Sequence, residues 1–127
     1  MLPLEGDASF LFFRQHCLPI AKQFETQDGG RPFEDWFVGL NAPAAAKVTT
    51  AIIRMEQGNH SRVKGVGAGV FECRVDFGPG YRIYFGRDGD QVIVLVAGGT
   101  KKRQASDIQV AIARWQDYKR RKKLGER

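Results

Sequence analysis

From Phe71 to Phe85, apolar and polar side chains alternate on both sides of the tripeptide Gly78-Pro79-Gly80. Phe71, Cys73, Val75 and Phe77 alternate with Glu72, Arg74 and Asp76; after the turn, Tyr81, Ile83 and Phe85 alternate with Arg82 and Tyr84. A period of two belongs to a β-strand, whose successive side chains leave opposite faces. Glycine and proline between two such runs fold them into an antiparallel hairpin. The chain must therefore build a sheet with one core face and one polar face, the latter carrying Glu72, Arg74, Asp76, Arg82 and Tyr84 at this hairpin. Two guanidinium groups and a phenol flanked by acids suit a phosphate backbone, because each guanidinium presents a rigid fork of donors. The same residues also suit a solvated sheet face with cross-strand ion pairs, and the hairpin alone does not separate the two.

The neighbouring segments supply the rest of a domain. Residues 20–26 have strand character and are ended by Asp28-Gly29-Gly30. Pro32 suits the first position of a helix whose Phe33, Trp36, Phe37 and Leu40 share a face. Gly39-Leu40-Asn41 breaks it, and a second helix opens at Pro43, presents Val48, Ile52 and Met55, and is capped by Gly58. Strands are predicted over 62–66, 70–77, 81–87 and 91–97; residues 92–97 are apolar on both faces and belong in the middle of a sheet. A last helix over 104–123 would bury Ile108, Ala111, Ile112 and Trp115. This order predicts an α+β fold: a small antiparallel twisted sheet with an N-terminal helical hairpin packed on one face and a C-terminal helix. The helices are expected on one face, with the face of Arg74, Arg82 and Tyr84 only partly covered. Residues 1–18 read as an N-terminal extension without a clear pattern, 19–119 as the domain and 120–127 as a basic tail.

With 127 residues the chain can bury one core. No apolar run approaches the ~20 residues of a membrane span, and Phe10-Leu11-Phe12-Phe13 lacks the length and the preceding basic region of a signal peptide; a cytoplasmic location without membrane contact is expected. The net charge of +6 is uneven: residues 119–127 carry six basic groups and one acid, residues 54–103 sum to +4, and residues 1–53 and 104–118 are net acidic. The run from Lys119 to Lys123 reads either as a solvated helix end that suits the macrodipole or as an arm for phosphate. Cys17 and Cys73 form no metal spacing, Cys73 reads as a small core residue, and His16 and His60 stand apart from the hairpin. Neither a metal nor another cofactor is expected.

Three collinear blocks carry a family resemblance. Phe24-x-Thr26-x-Asp28-Gly29-x-x-Pro32-Phe33-x-x-Trp36-x-x-Gly39-Leu40 resembles the opening of the RelE/ParE toxin superfamily, in its HigB-like branch of addiction-module killer proteins. Gly58-Asn59, Val63-Lys64 and Gly69-Val70-x-Glu72-x-Arg74-Val75-x-x-Gly78-Pro79-Gly80-Tyr81-Arg82-Ile83-Tyr84-Phe85 are similar to the branch's core block. Gly98-Gly99-x-Lys101-x-x-Gln104-x-x-Asp107-Ile108 resembles its closing block. Gly65 and Thr100 depart from the proline and aspartate usual there.

The resemblance implies the toxin of a type II toxin-antitoxin system, and foremost a ribosome-dependent endoribonuclease that cleaves messenger RNA without metal. That reaction attacks a phosphate with the neighbouring ribose 2′-hydroxyl, so it needs a base, charge stabilisation on phosphate oxygens and a donor for the leaving oxygen. Carried onto this chain, Arg74 and Arg82 are phosphate clamps, Lys64 or Lys101 the base, and Tyr84 a proton donor or stacking partner. Arg62, Lys102, Arg103 and Gln104 would bind RNA. Each has a structural alternative: Lys64 as an edge-strand guard, Lys101 and Gln104 as the start of the last helix. The implied partners are a helix-turn-helix antitoxin, the ribosome and its messenger, with DNA reached only through the antitoxin. A ParE-like inhibitor of DNA gyrase and a degenerate antitoxin-binding co-regulator are the alternatives, because the superfamily puts different activities on one fold.

Overall fold

The computed structural model describes residues 19–125; the readings of residues 1–18 and of the last two residues lie outside them. Strand β1 (Ile20–Gln23) leads to helix α1 (Pro32–Val38) and helix α2 (Ala42–Glu56). Strands β2 (Val63–Gly67), β3 (Val70–Val75), β4 (Tyr81–Asp88) and β5 (Val92–Thr100) follow, then a 3-10 turn (Lys101–Arg103) and helix α3 (Gln104–Lys123). Asn41 is in extended backbone and its side chain accepts the Ala44 amide at 2.9 Å, so the break between α1 and α2 is also the N-cap of α2.

The sheet runs β1-β5-β4-β3-β2. All neighbours are antiparallel except β1, which lies parallel to β5 with Ile20 opposite Val92. That pairing links segments about seventy residues apart, which a local hydrophobic period cannot announce. β5 is interior, as its unbroken apolar run predicts.

The helices do not share one face, and here the expectation is corrected. Phe33, Val48 and Met55 of α1 and α2 pack with Cys73, Val75, Tyr81, Ile83 and Phe85 on one side of the sheet. Ala111 and Trp115 of α3 pack with Phe24, Val70, Tyr84, Val94, Val96 and Ala97 on the other. Two glycines allow this. A Cβ at Gly98 would lie 2.1 Å from the Trp36 ring on the first side, and one at Gly86 would lie 2.3 Å from the Trp115 ring on the second. Each indole thus sits directly on sheet backbone. A register shift between Tyr84 and Phe85 turns both Val96 and Ala97 towards α3 and widens the face that it covers.

α3 continues through the basic run. Arg121 is buried, donating to the Glu25 carbonyl and, at 3.1 Å, to Asp117. Arg120 also pairs with Asp117, and Lys122 with Asp88. No helix among the described residues is long and apolar enough to cross a membrane.

Candidate functional site: a cationic depression at the hairpin turn

The Gly78-Pro79-Gly80 turn positions the site. Gly78 and Gly80 have φ of 56° and 84°, values that glycine adopts without steric cost. The Gly80 amide donates to the Phe77 carbonyl, and the Gly80 carbonyl accepts the Lys101 amide, each at 2.9 Å. The second bond ties the end of β5 to the hairpin turn. As a result, a Cβ on Gly80 would lie 3.4 Å from Lys101 Cβ and 3.8 Å from Arg82 Nη1. Arg74 stands directly opposite Arg82 in the register, which places the two on one face. Arg74, Arg82 and Lys101, with Asp76, Phe77 and the turn, line an open depression of about 570 Å³.

The two arginines differ in setting. Arg82 is 6% exposed: its Nε lies 3.7 Å from Glu72 Oε1 and its Nη1 donates to the Tyr81 carbonyl at 3.3 Å. Glu72, itself 2% exposed, also accepts from Gln104 Nε2 at 2.6 Å and lies 3.8 Å from Lys64 Nζ. Arg74 is open to solvent, with Nε 3.2 Å from Asp76 Oδ1. Arg62 hydrogen-bonds the same carboxylate, and this bond, reinforced by Arg74, holds Asp76 below the usual carboxylate range. Lys101, Lys102 and Arg103 are exposed on the 3-10 turn, and no salt bridge forms at Lys101 or Lys102 among the described residues.

Two candidates stand elsewhere than the strand pattern suggests. Tyr84, read as part of a partly open polar face, is wholly buried under α3. Burial, and then the carboxylates of Glu72 and Asp107, raise its phenol well above the ordinary range, so it stays neutral and out of reach of a base to be stacked. The physical reason is α3, which covers the inner half of the hairpin and leaves only its turn end open. Gln104, read as an RNA contact, turns inward to Glu72. Asp107 has no site role in the strand pattern. Its Oδ2 is buried against Gly99, where a Cβ would lie 1.9 Å away, and burial raises its pKa against the opposing pull of Arg103 and Arg114. The adjacent glycines Gly98-Gly99 are the only sequence signal of that close approach.

His60 belongs to a different place: its imidazole is influenced by Arg87, at the other end of β4 from the turn, and burial lowers its pKa. Among the described residues no group of three or more His, Cys, Asp or Glu is arranged to hold a metal ion. The depression can therefore bind and neutralise an anion through Arg74, Arg82 and Lys101, with Arg62 just ahead of the edge strand β2 and Lys64 on it.

Residues 35–116 match the family model described as phage derived protein Gp49-like (DUF891). An uncharacterized protein of Haemophilus influenzae is 39% identical over 80 residues, which cover 62% of this chain and 81% of that protein. The matched region runs from within α1 to just past Trp115 and takes in the hairpin, the depression and most of α3. The chain belongs to the Gp49-like phage-derived family, a RelE-like family associated with toxin-antitoxin systems.

Proposed function

We propose that this chain is the toxin of a type II toxin-antitoxin pair, and that it cuts messenger RNA on the ribosome as a metal-independent endoribonuclease of the HigB-like kind. The observation that carries the reading is the convergence of Arg74, Arg82 and Lys101 on one open depression at the hairpin turn. Cleavage by a ribose 2′-hydroxyl builds negative charge on the phosphate oxygens, and fixed guanidinium and ammonium groups stabilise that charge. Arg82, held from behind by Glu72, is the preorganised clamp, and Arg74 is the solvent-facing one. Lys101, beside them at the turn, takes part in proton transfer in this reading, with Lys64 as the outer lysine. Arg62, Lys102 and Arg103 extend the cationic rim for the RNA strand. Tyr84, beneath α3, and Gln104, in its first turn, support the set rather than touching RNA.

The family association supports an antitoxin partner; we take it to be a helix-turn-helix protein that neutralises the toxin in the cytoplasm and alone links the pair to DNA. The test is mapping of messenger 5′ ends after induced expression. Wild type should create new ends within coding regions, and Arg74→Ala with Lys101→Ala should abolish them. New ends that persist in the double variant, or inhibition of purified gyrase with no new ends, would overturn the reading.

A further inference from the structure

We infer that Asp76 is an internal competitor of the depression: its carboxylate holds, in the free protein, the position between Arg62 and Arg74 that a strand phosphate takes on binding. The ligand class rests on the RNA reading above; the competition itself rests on where the two carboxylates of the hairpin stand.

Glu72 and Asp76 each serve an arginine, in different settings. Glu72 is buried with Arg82, so it steadies that guanidinium without meeting a ligand. Asp76 lies just past the end of β3, half exposed, in the lining of the depression. Both of its oxygens are engaged there: Oδ1 lies 3.2 Å from Arg74 Nε, while Oδ2 accepts from Arg74 Nε at 3.3 Å and from Arg62 Nη1. A carboxylate and the two non-bridging oxygens of a phosphodiester each offer guanidinium groups a pair of acceptors sharing one negative charge. A phosphodiester can therefore replace Asp76 between the same donors, charge for charge.

The exchange is open to a ligand because exposed ion pairs contribute little and Asp76 stands outside the β3–β4 ladder, where its side chain can turn to solvent. A carboxylate that only positioned Arg74 would be set as Glu72 is, away from the ligand side. Asp76 instead relieves, while no ligand is bound, the repulsion between Arg74 and Arg82, which stand directly opposite each other. The hydrogen bond from Arg62 holds it below the usual carboxylate range, so it remains ionised and in competition at neutral pH. The consequence is a threshold. A carboxylate tethered this closely has a local concentration of millimolar order, so a small phosphate competes poorly. A strand that also engages Arg82 and Lys101 displaces it.

The test uses the full chain with Asp76→Asn, which keeps the shape and removes the charge. Pyrophosphate is titrated by calorimetry, and a labelled oligoribonucleotide, 2′-O-methylated so that it cannot be cut, by fluorescence anisotropy at several KCl concentrations. Asp76→Asn should bind both probes roughly fivefold more tightly, as expected for the loss of an exposed ion pair. It should also steepen the log-log salt slope for the oligonucleotide by about 0.7, the share of one single-strand phosphate. Asp90→Asn, the same charge change between β4 and β5, should do neither. The gain should vanish when Arg62→Gln and Arg74→Gln are present, and thermal melting should stay near that of wild type. Weaker binding by Asp76→Asn would overturn the inference and make Asp76 a positioning carboxylate. So would a gain equal to that of Asp90→Asn, or one that survives loss of both arginines. If wild type makes no messenger cuts while the gain appears, the nuclease reading fails and the competitor stands. If cutting depends on Arg74 while Asp76→Asn weakens binding, the reverse holds.

Discussion

Gln104 Nε2 donates to Glu72 Oε2 across 2.6 Å, joining the first turn of α3 to β3. Glu72 is almost wholly buried, and a buried carboxylate is tolerated only where donors replace its lost water. Gln104→Ala removes one such donor and should cost about 1–3 kcal/mol, read as a lower urea midpoint. Gln104→Glu should cost more, since it sets one carboxylate against another. An unchanged midpoint in both variants would show that this hydrogen bond does not secure α3.

The two arginines of the depression should separate under mutation. Arg82→Ala leaves Glu72 buried without its guanidinium and should destabilise the fold by about 3 kcal/mol. Arg74→Ala removes an exposed side chain paired with the exposed Asp76 and should change stability by less than about 1 kcal/mol while abolishing messenger cutting. Equal stability losses would contradict the burial of Arg82 beside Glu72.

Stability should fall on the alkaline side. Burial pushes the Cys73 thiol from 9.0 to about 11, and burial likewise raises the Tyr84 phenol. The folded state therefore keeps protons that the unfolded state releases. The resulting stability is fully present below pH 9 and is lost as pH rises towards about 11. Cys73→Ala should shallow that decline in urea midpoints, and in a Cys17→Ser background the Cys73 thiol should react with Ellman's reagent only when the protein unfolds.

Gly86→Ala and Gly98→Ala should each destabilise by about 3 kcal/mol or more, because the added methyl would meet an indole ring 2.3 Å or 2.1 Å away. Gly89→Ala meets no atom within 4 Å, though its φ of 70° adds strain, and should cost only about 1 kcal/mol. Thermal melting ranks the three; a Gly98→Ala variant as stable as Gly89→Ala would contradict the seating of Trp36 on the sheet.

Much of this was legible from residue order. The alternation from Phe71 to Phe85, the apolar run of β5 and the Ile108, Ala111, Ile112 and Trp115 stripe of α3 each stand where their period places them. The candidate site was legible in part: Arg74, Arg82 and Lys101 meet at the turn, but Tyr84 shares Arg82's side of the strand and is sealed off. Tyrosine and arginine both combine apolar surface with a polar tip, so alternation counts them as polar whether the face is wet or covered.

The sequence by itself determined local periods, turns and which side chains share a face, because these depend on backbone geometry a few residues long. Only the tertiary structure decided that β1 lies parallel to β5, that α3 crosses the face opposite α1 and α2, and that Arg120, Arg121 and Lys122 of the basic run are drawn into ion pairs with Asp117 and Asp88. Those outcomes depend on contacts between distant segments, and a strand's alternation names its two faces without saying which of them a helix will cover.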